Sequence, residues 1–225
     1  MAVRAVSAFA LPPDCREVTL GGSLALCAYL GVPPAAHGIV IFAHGSGSGR
    51  MSPRNNYVAH RLREAGFATL LLDLLSPAEE QDRHNVFDIA LLASRLRLAV
   101  DWCAANPETA ELRPAYFGAS TGAGAALYAA AGDKRIAAIV SRGGRPDLAG
   151  AQALARVEAP TLLIVGALDS VVIDLNRTAR DAMHCERQLM IVPGAGHLFE
   201  EPGTLDQVVA LATTWFGHHF PKAAP

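Results

Sequence analysis

Cysteine is scarce in this chain of 225 residues: Cys15, Cys27, Cys103 and Cys185 are scattered, with no C-x-x-C and no zinc-type spacing. That excludes a disulfide scaffold and a cysteine-built metal site, and points to a reduced, cytoplasmic protein with structural thiols. A basic block is also missing and the formal net charge is −2, so neither nucleic acid nor a membrane surface is an expected partner. No apolar stretch approaches the length of a membrane span. Met1–Leu11 carries one arginine and a brief apolar run that Pro12-Pro13-Asp14 ends, too weak a pattern for a signal peptide. No internal repeat or low-complexity linker divides the chain, and the longest polar stretch, Leu75–Asn85, is too short for a separate cap domain. With 51% hydrophobic and 18% charged residues, the expectation is one well-cored domain over residues 1–225.

What is present is an alternation of strand-like and helix-like segments. Gly38–Ala43, Phe67–Leu72, Ile136–Val140 and Thr161–Val165 are apolar runs suited to strands buried on both faces. Leu24–Leu30, Pro114–Phe117 and Gln188–Val192 are further strand candidates. Tyr57–Ala65 reads as a helix closed by Gly66, and Asn85–Ala105 as one long helix with a single apolar face. Ala123–Ala131 has high helix propensity, a further helix is expected from near Asp174, and Thr204–Phe216 reads as a terminal amphipathic helix. Such alternation predicts the α/β class: a mostly parallel central sheet flanked by helices on both faces, with no large cap domain.

Reactive groups in such a sheet gather at the carboxyl ends of the strands. Those ends carry His44-Gly45-Ser46-Gly47-Ser48-Gly49, Asp73, Ser120, Ser141-Arg142-Gly143-Gly144-Arg145, Asp169 and His197. Ser120 stands in Gly118-Ala119-Ser120-Thr121-Gly122, a G-x-S-x-G stretch between an apolar strand and an alanine-rich helix. That spelling fits a nucleophile elbow, a strained turn that lifts the serine hydroxyl clear of the sheet, with flanking residues that lack a Cβ. Ser120, Asp169 and His197 follow one another in the order expected of α/β-hydrolases.

The chain resembles the dienelactone-hydrolase-like group of α/β-hydrolases over nearly its whole length. The residues that carry the resemblance are Phe42-Ala43-His44-Gly45, the Ser120 elbow, Leu163–Asp169 and Gly194-Ala195-Gly196-His197-Leu198-Phe199. In one respect it departs from the group. Dienelactone hydrolases proper use a cysteine nucleophile, and Ser120 stands in its place, which shifts the expectation from lactones towards esters.

The expected chemistry is cleavage of small-molecule esters without cofactor or metal. A serine hydroxyl needs an adjacent base, which His197 would supply, while Asp169 would hold the other ring nitrogen. Backbone N–H groups of Thr121 and Ser46 are the candidate oxyanion donors. Arg142 and Arg145 could meet an anionic substrate group or be ordinary surface charges. His44 is a further substrate-side candidate, though its position suits shaping the oxyanion loop. Arg50 and Arg54 are expected in structural ion pairs, and His218 and His219 in solvent. Ser120 and Asp169 each have a blander reading as helix N-caps, and Asp174 and Asp73 are rival acids. A nucleotide-binding reading of Gly45–Gly49 fails, because the dinucleotide fingerprint requires glycine where Arg50 stands and no Walker lysine follows. Thioesterase, lactonase or acyltransferase chemistry on the same residues, or a silent hydrolase fold used for binding, remain the alternatives. The walls of the site are expected at Leu74–His84 and Ser141–Asp147, open and shallow, favouring short-chain esters over long ones.

Overall fold

The computed structural model describes residues 11–220, so the reading of Met1–Leu11 falls, Leu11 apart, outside the described residues. Side-chain alternation explains the architecture. Along β3 (Ile39–Ala43), Ile39, Ile41 and Ala43 enter one core while Val40 and Phe42 enter another. β4 (Ala68–Leu72) and β5 (Pro114–Ala119) repeat this, with Leu70 and Tyr116 on the first side and Leu71 and Phe117 on the second. Strands that are apolar on both faces must be covered on both. Helices α1 (Pro53–Glu64) and α7 (Thr204–His219) cover one face; α3 (Ile89–Ala105), α4 (Thr121–Ala130) and α6 (Ser170–Ala182) cover the other.

The remaining strands are β1 (Arg16–Leu20), β2 (Leu26–Gly31), β6 (Ile139–Arg142), β7 (Thr161–Gly166) and β8 (Arg187–Val192). The eight hydrogen-bond in the order β1-β2-β4-β3-β5-β6-β7-β8. β2 runs antiparallel to both β1 and β4, and every other pairing is parallel. The central strands β3, β5, β6 and β7 therefore end on one edge, and so do the loops that follow them. Among the described residues no helix is long and apolar enough to cross a membrane.

Several boundaries differ from the sequence expectation. β1 was not foreseen; it is an edge strand in which Arg16, Glu17 and Thr19 are exposed, Val18 is half-buried and Leu20 buried, so it lacks an apolar run. The helix expected from Tyr57 begins at Pro53, where Ser52 accepts a hydrogen bond from the Asn55 N–H and proline occupies the first turn. The single helix expected over Asn85–Ala105 is two, α2 (Arg83–Phe87) and α3. Asp88 breaks it with a non-helical ψ of 92°, and its carboxylate caps the Leu91 N–H at 2.9 Å. The sixth strand lies at Ile139–Arg142 rather than Ile136–Val140, and α6 starts at Ser170 instead of near Asp174. A short helix, α5 (Ala151–Leu154), precedes β7.

Candidate active site

Ser120 is the junction between β5 and α4, with φ 50° and ψ −124°. A non-glycine residue held there stores on the order of 1–3 kcal/mol of strain. The surroundings impose it. A Cβ on Gly122 would lie 2.2 Å from the Ala43 carbonyl oxygen, and one on Gly118 would lie 2.5 Å from Ala123 Cα. Helix and strand approach so closely at these two positions that only glycine fits. The Ser120 N–H donates to the Arg142 carbonyl at 3.3 Å, and its own carbonyl accepts from the Arg145 N–H at 3.0 Å. Its side chain makes no capping bond to the helix, so the N-cap alternative lacks its defining contact.

Asp169 and His197 leave the ends of β7 and β8. His197 Nδ1 donates to Asp169 Oδ2 at 2.6 Å, which leaves Nε2 as the free ring nitrogen. Asp169 also stands at the N-cap position of α6, but its carboxylate makes no cap bond there. Backbone contact holds the two loops together: a Cβ on Gly166 would lie 2.3 Å from the Ala195 carbonyl oxygen. The Gly196 N–H donates to Glu201 Oε2 at 3.1 Å, and this bond holds the Glu201 carboxyl below the usual carboxylate range. The Gly143 backbone lies against His197, with a built Cβ 3.6 Å from Nδ1. Ser120 and His197 thus flank the same loop, residues 142–145, and no hydrogen bond joins their side chains among the described residues.

Above β3, His44 is buried and bridges two loops: Nε2 accepts the Leu74 N–H at 3.0 Å, so Nδ1 carries the proton, facing the Gly45 carbonyl at 3.0 Å. Burial pushes its pKa down, which keeps the ring neutral. Gly45 packs on the elbow, and a Cβ there would lie 3.0 Å from Ser120 Cβ. The next N–H, that of Ser46, has no acceptor among the described residues. Thr121 opens α4, where first-turn N–H groups lack intrahelical acceptors and the helix dipole favours negative charge.

The two arginines expected near substrate have other surroundings. Arg145 is engaged by Asp147 through two bonds of 2.9 and 2.7 Å. Arg142 is 8% exposed, and its Nη2 donates to Asn55 Oδ1 at 3.3 Å. Burial pulls its pKa down to about 10. Asp73 is held by Arg50, whose backbone N–H reaches Oδ1 at 2.6 Å and whose guanidinium caps Oδ2; Arg54 pairs with Glu200 at 2.7 Å. Both are the ion pairs expected. Asp174 pairs with Arg177 on an exposed helix face. His219 departs from its expectation of facing solvent: its ring packs 4.4 Å from that of Trp215, with Glu186 at 3.6 Å.

A cleft of about 710 Å³ opens beside the Gly45–Ser46 turn, bounded by residues 44–54 and by the segment running from Asp73 to Leu92. The wall expected at Leu74–His84 contributes to it; residues 141–147 do not line it. Two contacts escaped the sequence reading. Asn176, fully buried in α6, donates from Nδ2 to the Gly144 carbonyl at 2.9 Å and so steadies the loop beside Ser120. An amide at a buried helical position is a visible signal; its partner is not. Glu201 under Gly196 is the other, and a half-buried glutamate in a loop gives no signal at all.

With this geometry in hand, the chain can be set beside known proteins. The family model described as the dienelactone hydrolase family matches residues 26–216. A dienelactone hydrolase crystal structure from Anabaena variabilis is 53% identical, covering 92% of this chain and 100% of that one, with a TM-score of 0.89. An α/β serine hydrolase described as having no lid, from Xanthomonas campestris, superposes with a TM-score of 0.75 at 19% identity, over 95% of this chain and 98% of that one. Two Mycobacterium tuberculosis proteins, from strains CDC 1551 and H37Rv and both named "Putative phosphoribosyl transferase", are 56% identical over 98% of this chain. The chain spans 50% of the length of those curated relatives. It belongs to the dienelactone hydrolase family and has the α/β-hydrolase fold of that family.

Proposed function

We propose that this chain is a serine hydrolase that cleaves carboxylic esters through an acyl-enzyme, with Ser120 as nucleophile, His197 as base and Asp169 as its orienting partner. The observation that carries the reading is the 2.6 Å His197–Asp169 bond on the strand edge where Ser120 is held at φ 50°. Ser120 Oγ attacks the ester carbonyl while His197 Nε2 takes its proton. Negative charge on the carbonyl oxygen falls to the Thr121 and Ser46 N–H groups, each worth about 3 kcal/mol in the transition state. His197 then returns the proton to the departing alcohol. Water repeats the sequence on the acyl-enzyme and releases the acid.

The tautomer supports this assignment. Asp169 accepts from Nδ1, so Nε2 carries the lone pair that a general base needs. The neutral, enclosed His44 has both nitrogens committed, which suits a part in shaping the oxyanion turn and not in proton transfer. Contact of Arg142 or Arg145 with an anionic substrate is left out of the proposal, since one guanidinium is enclosed and the other is engaged by Asp147. The phosphoribosyl transfer named for relatives twice as long is a property of those proteins, of which this chain spans 50%.

The test is a panel of p-nitrophenyl esters, a thioester and a lactone, assayed with wild type and Ser120→Ala side by side. Ester turnover that falls by at least about a thousandfold in the variant, with the fold intact, is the expected outcome. Wild-type esterase rates in Ser120→Ala would sink the assignment, and a preference for the thioester or lactone would move the substrate class.

A further inference from the structure

The cleft beside the Gly45–Ser46 turn is not lined by Ser120 itself but reaches Gly45, which packs on the elbow. Gly45, on its rim, is placed so that a Cβ there would lie 3.8 Å from Ser120 Oγ, and Ser46, the proposed oxyanion donor, also lines it. Neither Asp169 nor His197 borders the cleft. A substrate whose carbonyl oxygen meets Ser46 can therefore run one of its two halves along this channel, away from the base.

The lining says which chemistry that half has. Leu75 and Leu92 are 4% and 3% exposed and form an apolar floor, with Pro77, Val86 and Met51 along the sides. Two arginines border the cleft, and both are already paired: Arg50 with Asp73 and Glu17, Arg54 with Glu200. Glu80, also on the border, has no ion-pair partner among the described residues. A carboxylate entering here would leave water, find no uncommitted cation and approach an unpaired glutamate. An uncharged hydrocarbon chain would bury apolar surface at no such cost. A volume of about 710 Å³ lies within the range of small-molecule sites, and far more than an acetyl group needs.

We propose that this cleft binds the uncharged, apolar half of the ester, and that Val86 and Met51 in its lining set the length it accepts. The inference rests on the serine-hydrolase reading of Ser120. It keeps the expectation that short-chain esters are favoured over long ones and places the optimum near hexanoate.

The experiment measures kcat/KM for p-nitrophenyl acetate, butyrate, hexanoate and palmitate, for the p-nitrophenyl monoester of adipic acid, and for ethyl and hexyl acetate. Values should rise from acetate to hexanoate by about two- to fourfold per methylene, as burial of each methylene dictates, and fall at palmitate. The adipate monoester should lie at least about tenfold below hexanoate, because a charged terminus must be desolvated. A rise along the p-nitrophenyl series assigns the cleft to the acyl half; a rise only from ethyl to hexyl acetate assigns it to the alcohol half. Val86→Trp should remove most of the advantage of the longer chain, and Met51→Trp, at an exposed position, should do the same without disturbing the core. Labelling of each variant at Ser120 by a fluorophosphonate reports an intact nucleophile. A flat chain-length profile in a labelled wild type, or an unchanged profile in both labelled variants, overturns the cleft assignment alone. Absence of labelling in the wild type overturns the hydrolase reading and this inference with it.

Discussion

The elbow around Ser120 and the loops that carry Asp169 and His197 lie on one edge of the sheet and both rest on close backbone packing, yet they hold their side chains differently. Around the elbow the backbone does the positioning. Ala119, Thr121, Gly122 and Ala123 are buried, and Gly122 lies directly beneath the Ala43 carbonyl. Around the acid and base, side chains stand in the open: Leu168 is 69% exposed, Val171 71% and Leu198 44%. There the ring of His197 is oriented by a single carboxylate contact, Asp169. On the proposed reading, the contrast teaches that the nucleophile is held by backbone strain before any substrate arrives, while the base is oriented by one side-chain contact. No hydrogen bond joins the Ser120 and His197 side chains among the described residues, and catalytic bonds of this kind often tighten only in the complex.

Substitutions can break this comparison on either side. The largest expected effect after removal of Ser120 itself is at Asp169. Asp169→Asn leaves the shape but cannot accept from Nδ1 as a charge, so the ring loses its tautomer and orientation; kcat should fall by about a thousand- to ten-thousandfold with the melting temperature little changed. Next comes Gly122→Ala, whose methyl group would meet the Ala43 and His44 carbonyls at 2.2 and 2.4 Å. Backbone must move to admit it, so a loss of about 2–4 kcal/mol in urea unfolding, together with lower kcat, is expected. Gly196→Ala sharpens the contrast on the other side. Its methyl group would meet only the end of the Glu201 side chain, at 2.9 Å, and a flexible carboxylate can swing away, so stability should change by less than about 1 kcal/mol.

The smallest effect concerns pH. His44 is depressed by burial below its ordinary value near 6.5. A depressed base contributes stability above its unfolded pKa and loses it as pH falls towards the folded one, because the unfolded chain binds the proton more readily. Urea midpoints of the wild type should thus decline below about pH 6.5. In His44→Gln, whose amide oxygen can still accept from the Leu74 N–H, the decline should be shallower; equal slopes would show that other groups govern the acid limb.

Much of this was legible in the sequence, for definite reasons. The central strands β3, β4, β5 and β7 are apolar on both faces, so each announces itself as an unbroken run, and the reactive residues follow directly at their ends. Ser120 was readable because its turn needs glycine on both sides. What escaped depends on neighbours distant in the chain. β1 exists because the antiparallel β2 pairs with it, and its inward face is only two residues long, Val18 and Leu20. Asp88 looks like one more polar residue on a helix until its carboxylate is seen capping Leu91. Arg142 reads as a surface charge until α1 is laid over it and Asn55 meets it. The cleft is likewise assembled from segments far apart, Gly45–Arg54 and Leu75–Leu92, so its apolar floor has no signature in either alone.

The central claim is that Ser120 is an activated nucleophile, and the most direct measurement is labelling by a fluorophosphonate followed by mass spectrometry of the modified peptide. The account predicts one adduct, on the peptide that contains Ser120, abolished in Ser120→Ala and slowed in Asp169→Asn. An unlabelled wild type, or an adduct that persists in Ser120→Ala, would contradict it.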